Sequence, residues 1–316
     1  MALLRIHPDI AAAQRDGRPV VALESSVLAQ GLPVPANREA DRRARNAITA
    51  RGAVPAITAV VHGVPAVGLS DDELERFLDR TGVAKVSARD LPHAIVGGCD
   101  GATTVAAALA LCRLAAIPVF ATGGIGGVHR GAAFDESADL LELSRSPVIA
   151  VCAGAKSILD IGATIERLET LGVTVVGFRT DEFPGFFTRR TGFRSLTVAN
   201  SPGEIAATYR AARALGLPGA VLVVQPLPED VALDAALVDE AVAGALAEAM
   251  AAGIRGALLT PFLLAAVERA TGGNSLVANL ALLEANAALA ADIAVALAAT
   301  APADDRSVDV RPRAGY

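Results

Sequence analysis

Six short runs rich in Val, Ile and Ala recur along the chain: "PVVALES" (19–25), "VPAITAVV" (54–61), "IPVFATGG" (117–124), "PVIAVCAG" (147–154), "VTVVGF" (173–178) and "GAVLVVQP" (219–226). Their apolarity is continuous rather than alternating, which predicts strands covered on both faces. Between most of them the pattern turns helical. "PANREADRRARNAITARG" (35–52) opens after a proline, and Ser70 with Glu73 and Ser201 with Glu204 match capping-box starts. Strands that alternate with helices predict an α/β fold with a largely parallel central sheet flanked by helices. Past residue 235 the chain reads as nearly continuous helix, in "LVDEAVAGALAEAMAAG", "PFLLAAVERATGG" and "SLVANLALLEANAALAADIAVALAAT". No linker precedes this helical segment, so a single domain over 1–300 is expected. The polar tail 301–316, "APADDRSVDVRPRAGY", is expected to be disordered.

Composition narrows the class. The chain has 316 residues and is 53% apolar, much of it alanine. Its most membrane-like stretch, 280–300, carries Glu284, Asn286 and Asp292 within the ~20 residues a bilayer span requires, and reads as a buried or oligomer-facing helix. No signal peptide is read at the N-terminus. Cys99, Cys112 and Cys152 are odd in number and lack zinc spacing, which fits a reduced, cytoplasmic setting. A net charge of -6, no Trp and 3% aromatics argue against a nucleic-acid polymer as partner. A small molecule remains.

The basic residues carry the first chemical signal. Of 28, only Lys85 and Lys156 are lysines; the other 26 are arginines. Only lysine can lose its proton near neutral pH and act as a nucleophile, whereas guanidinium stays charged. At pH 7 an ordinary lysine, with a pKa of ~10.4, is free amine in about one molecule in 2,500. Apolar burial and a neighbouring ammonium both raise that fraction, and two lysines in one site can supply the second effect.

Loops at the carboxyl ends of strands form the sites of open α/β sheets. Glu24 ends the first run, Lys85 sits in "VAKVSARDLP", "TGGIGGVHRG" follows the third and Lys156 follows "VIAVCAG". "GAKS" fails as a phosphate loop because Ala155 and Ala150 stand where that motif needs glycine. "GGIGG" fails as a dinucleotide fingerprint because His129 holds the last glycine position. The glycines still allow close backbone approach. "GATTVAAALAL" places Thr104 and free N–H groups at a helix start suited to phosphate. Asp135 and Asp139, with Ser137 between them, offer hard oxygen ligands for Mg²⁺ or Mn²⁺. Together these residues suggest Schiff-base chemistry on a phosphorylated sugar that exposes an aldehyde.

At these residues the sequence resembles the pseudouridine-5'-phosphate glycosidase family, also called indigoidine synthase A-like. "VALESSVLAQGLPVPAN", "KVSARDLP", "GATTVAAAL", "FATGGIGGVHRG", "SADLLEL", "VCAGAKSILDIGAT" and "TPFLLAAVERATGGNSLVANLALLEANAALAADIA" follow the family order over about residues 8 to 297. The resemblance implies a hydrolase or lyase that reversibly cleaves the C–C glycosidic bond of pseudouridine 5'-phosphate to uracil and ribose 5-phosphate. It implies Mn²⁺ and commonly a homotrimer. It also implies Lys156 as the nucleophile that forms an imine with ring-opened ribose and Glu24 as the proton donor. Lys85, the Val105 backbone, Ser137, Ala138 and Asp139 would contact substrate, and Asp135 the metal. His129 and Asn279 are further polar groups for a uracil edge. Two departures touch this resemblance: the segment between "VHRG" and "FDESADL" is about two residues short, and Gln225 stands where Asn is usual, so both are expected near the base pocket. A C-ribosylating synthase that joins ribose 5-phosphate to an aromatic aglycone is the alternative.

Overall fold

A computed structural model describes residues 4–131, 134–194, 197–254 and 259–299, the side chains of 260 and 261 excepted. The tail 301–316 lies outside the described residues. In chain order the strands are β1 (Arg5–Ile6), β2 (Val20–Glu24), β3 (Val54–Val61), β4 (Val64–Val67), β5 (Val83–Val86), β6 (Asp100–Thr103), β7 (Val119–Ala121), β8 (Val128–His129), β9 (Ile149–Cys152), β10 (Leu159–Asp160), β11 (Thr174–Phe178), β12 (Val198–Ala199) and β13 (Val221–Val224). All six sequence-predicted strands form. The sheet runs β1-β4-β3-β2-β7-β9-β13-β11-β12, with β5 joined through β6 to β3. From β3 to β12 every neighbouring pair is parallel.

Continuous apolar strands are explained by cover on both faces. Along β9, Ile149 and Val151 join the core on one side while Ala150 and Cys152 join the core on the other. β13 repeats this, with Val221 and Val223 opposed to Leu222 and Val224. One face is covered by the helix Asn274–Ala299, which packs on β7, β9, Ala36–Thr49 and Pro202–Ala214. This helix is long and apolar enough to cross a membrane. Here it lies in the protein core, with Glu284 and Asp292 paired to Arg43 and Arg51. The helix Val105–Ala115 is buried along almost its whole length, and its Ala-rich sequence lets neighbours approach from all sides.

The capping expectations divide. Ser70 and Glu73 form both halves of the box, with Glu73 N–H donating to Ser70 Oγ and Ser70 N–H donating to the Glu73 carboxylate at 3.0 Å. At the second start, Ser201 Oγ accepts the Glu204 N–H, but the Glu204 carboxylate reaches the N–H of Asn200 at 2.9 Å instead.

The sheet departs from the sequence expectation at one decisive place. β4 and β6 both pair antiparallel with β3, and β5 runs parallel to β6. β2 lies beside β3 as far as Glu24 opposite Thr58, and β6 continues along the next residues, with Ala102 opposite Ala59. The carboxyl ends of β2 and β6 therefore meet head to head. Ser25, Thr58 and Thr103, all fully buried, join them: Ser25 Oγ donates to the Thr58 carbonyl at 2.7 Å and accepts the Thr103 N–H at 2.9 Å.

Candidate active site

This junction brings two groups of sequence-distant residues to one mouth. Glu24 ends β2, while Thr104 and Val105 follow β6 and start a helix. Lys85 lies on β5 in register with Ala102. A cavity of 690 Å³ opens there, within the size range of small-molecule sites. Glu24, Lys85, Thr104, Val105 and Lys156 line it, as do His129, Asp135, Ser137, Ala138, Asp139 and Asn279. Every residue that the sequence offered as a catalytic, binding or metal candidate therefore reaches the same cavity.

Lys156 is delivered by two loops that prolong the pairing of β7 and β9. Ala153 N–H donates to the Gly123 carbonyl, Ile125 N–H to that of Gly154, and Lys156 N–H to that of Ile125, at 2.9 to 3.1 Å. Two glycines make this possible. Gly154 has φ +87°, and a Cβ there would stand 2.0 Å from the Pro184 carbonyl oxygen. A Cβ on Gly126 would stand 2.3 Å from Ser137 Oγ. Arg130 holds the next turn by donating to the carbonyls of Leu159 and Ser157 at 3.0 and 3.2 Å.

Asp139 locks the phosphate-type helix start to the glycine loop. Its Oδ1 accepts the Ala106 N–H at 2.9 Å and its Oδ2 accepts the Gly126 N–H at 2.8 Å. Thr104 Oγ1 caps the Ala107 N–H, and Ser137 Oγ caps the N–H of Asp139. Val105 N–H has no acceptor among the described residues, so it is the first-turn donor left for a ligand.

Charge is unevenly distributed. Burial pushes the Glu24 carboxyl up to about 7 even though Thr122 Oγ1 donates to its Oε1 at 2.7 Å and Lys156 attracts a negative charge; the Asp139 carboxylate adds to the rise. Glu24 is 5% exposed. A carboxyl in this range can carry or release a proton near neutral pH. Lys85 is pulled below the ordinary lysine range, first by the protein packed around it and next by Lys156, with Asp139 opposing. Its side chain also meets solvent in the cavity, which screens both effects. The Cys152 thiol, pushed up to about 12 by burial, is unsuited to nucleophilic work.

The metal expectation meets a sparse donor set. His129 Nδ1 lies 3.2 Å from Asp135 Oδ1, and among the described residues no group of three or more His, Cys, Asp or Glu converges. Asp139 is no free second ligand, since both its oxygens already serve backbone donors. One carboxylate with an adjacent imidazole fits a hard, largely hydrated cation and does not fit a closed protein cage.

Sequence reasoning missed Thr122 as a partner of Glu24 and misplaced Gln225. Gln225 does not line the cavity; its Nε2 donates at 2.9 Å to Oδ1 of Asn286, a residue only 1% exposed. The available signal was Asn286 itself, a polar residue inside an apolar helix. The shortened segment of the resemblance includes residues 132 and 133, which lie outside the described residues.

Residues 9–296 match the family model described as indigoidine synthase A like protein. A pseudouridine-5'-phosphate glycosidase of Gemmatimonas aurantiaca is 64% identical over 286 residues, which cover 90% of this chain and 94% of the relative. One of Herpetosiphon aurantiacus is 50% identical, covering 94% of this chain and 99% of its own. Among solved structures, the prealnumycin C-glycosynthase AlnA in complex with ribulose 5-phosphate superimposes with a TM-score of 0.88 at 39% identity, covering 95% of this chain and 98% of that one. An indigoidine synthase A-like protein of Thermotoga maritima gives 0.86 at 37% identity, covering 93% and 96%. With nearly its whole folded length matched, this chain belongs to the indigoidine synthase A like protein family.

Proposed function

We propose that the protein is a pseudouridine-5'-phosphate glycosidase that works through a lysine imine. The observation that carries this reading is that Lys156 and the near-neutral Glu24 carboxyl line one cavity, close enough for the Lys156 charge to act on Glu24. The C–C bond to be cleaved has no heteroatom leaving group, so a pair of carboxylates of the ordinary glycosidase kind would not suffice. An amine answers this need. Lys156 Nζ adds to C1' as the C1'–O4' bond opens and O4' takes up the proton the amine gives up. The nitrogen lone pair then forms an iminium with C1' while the electron pair of the C1'–C5 bond leaves on uracil C5. Glu24 supplies the proton that uracil needs to depart. Water then releases ribose 5-phosphate and regenerates the amine, so one water is consumed overall.

The remaining residues bind. Lys85, Thr104, the Val105 N–H, Ser137, Ala138 and Asp139 surround the phosphorylated sugar, while His129 and Asn279 meet the base. Asp135, beside His129, would hold a Mn²⁺ or similar cation, whose chemistry there is to offset phosphate charge. A homotrimer in the cytoplasm completes the reading, and light scattering tests the assembly. The identity of 64% to a protein named for this activity, against 39% to the C-glycosynthase, favours the glycosidase. The synthase remains the second reading, because that solved relative carries a ribulose 5-phosphate.

Borohydride reduction in the presence of ribose 5-phosphate tests the imine. A stable adduct is expected on Lys156 and none in Lys156→Arg. An adduct on Lys85, or on neither lysine, would overturn the mechanism. Glu24→Ala should keep the adduct and lose completed turnover.

A further inference from the structure

Asn286 lies at the end of a hydrogen-bonded chain that leads to the Glu24 carboxyl. Its Nδ2 donates to the Thr122 carbonyl at 2.8 Å and to the Gly123 carbonyl at 3.2 Å. Its Oδ1 accepts from Gln225 Nε2 at 2.9 Å. Thr122, 2% exposed, then donates its hydroxyl to Glu24 Oε1 at 2.7 Å. Thr122 and Gly123 follow β7 directly, at the point where the chain leaves the strand for the glycine loop. A backbone leaving a strand has lost its ladder partner on one side, so its direction depends on what takes up its carbonyls. Here one buried side-chain amide takes the Thr122 carbonyl and shares the Gly123 carbonyl with the Ala153 N–H.

We infer that Asn286 is a positioning residue for proton delivery: it fixes the Thr122–Gly123 backbone and thereby holds the Thr122 hydroxyl on Glu24, while Gln225 fixes the direction of the Asn286 amide. The inference rests on Glu24 being the proton donor. Its orientation argument is chemical. Two carbonyl oxygens can be met only by the NH₂ end of the amide, and the oxygen left on the other side needs a donor. Gln225 provides that donor from outside the cavity. Gln225 is thus connected to the chemistry through three side chains and touches no substrate.

The Thr122 hydroxyl stabilises the ionised form of Glu24 and opposes the effect of burial. The other groups facing Glu24 are the Lys156 ammonium, which also favours ionisation, the Asp139 carboxylate, which disfavours it, and the Cys152 thiol. Asp41, paired with Arg45, lies across a void of about 20 Å³ that Glu24 and Thr122 also line. None of these charged groups belongs to the Asn286 chain. Loss of Asn286 should therefore act on Glu24 through Thr122.

The pH profile of pseudouridine 5'-phosphate cleavage tests this. A proton donor must be protonated, so activity falls as pH rises through its pKa. Thr122→Val removes a bond to the ionised form and should move that alkaline limb up by about half a pH unit or more; Thr122→Ser should keep it near its original place. Asn286→Leu should move the limb in the same direction as Thr122→Val, and the double variant should move it no further than Thr122→Val alone. Gln225→Met, which removes the Nε2 donor and disturbs the fold least, should give a smaller upward shift. An unmoved limb in both Asn286→Leu and Gln225→Met, or an additive shift in the double variant, would overturn the inference even if kcat falls. Infrared titration of the protonated-carboxyl band that Glu24→Gln removes should report the same shifts without turnover. A shifted band in an enzyme that does not cleave this substrate would keep the Asn286 assignment and sink the proposed activity.

Discussion

The Asp139 carboxylate accepts the Gly126 N–H at 2.8 Å, binding the glycine loop to the start of a helix that lines the cavity. Its other oxygen accepts the Ala106 N–H at 2.9 Å. Asparagine has one oxygen where aspartate has two, so Asp139→Asn leaves one buried N–H facing an NH₂ group. The expected cost is about 1–3 kcal/mol of stability, with a raised KM for the sugar phosphate. Chemical denaturation and the concentration dependence of imine trapping measure the two effects. Unchanged values for both would show that the clamp is dispensable.

Glu24 should make stability depend on pH. Burial raises its folded pKa from 4.5 to about 7, so the folded state holds a proton that the unfolded chain has released between those values. Stability is then greatest below pH 4.5 as far as this group is concerned, falls as pH rises, and levels off above about 7 at a loss of roughly 3 kcal/mol. Glu24→Gln mimics the protonated acid. It should be nearly neutral for stability at pH 5 and stabilising at pH 8.5, and denaturant midpoints at the two values check the sign.

A divalent cation at Asp135 predicts a loss of activity on chelation and recovery with Mn²⁺. Asp135→Ala should weaken Mn²⁺ binding in calorimetry at least tenfold and leave the borohydride adduct on Lys156 in place. Full turnover by enzyme shown metal-free by elemental analysis would remove the cation from the mechanism.

Aglycone choice separates the two functional readings. A site that hydrogen-bonds uracil rejects a ligand lacking those groups, because its buried donors and acceptors stay unpaired. Pseudouridine 5'-phosphate should therefore exceed other aromatic C-ribosides in kcat/KM by orders of magnitude, and Asn279→Ala should narrow the gap. Gln225→Asn should leave the preference within about threefold, since that residue is outside the cavity wall and distant groups act nearly additively. Negligible cleavage of pseudouridine 5'-phosphate with a retained Lys156 adduct would favour the C-ribosylating synthase.

By itself the sequence determined the sheet-forming runs, the Thr104 helix start and the two lysines as candidate amines. These follow from local causes: continuous apolarity, capping chemistry and the rarity of lysine among 28 basic residues. The tertiary structure decided how they meet. No local pattern announces that β6 runs against β3 and abuts the end of β2, because strand direction is fixed by pairing between residues far apart in sequence. That reversal joins Thr104 and Val105 to the mouth holding Glu24. The near-neutral Glu24 carboxyl, the double use of Asp139 and the removal of Gln225 from the cavity wall likewise depend on burial and on bonds across the fold. Sequence could place a carboxylate at a strand end, but only packing could dehydrate it, set Thr122 against it and bring Lys156 within reach of its charge.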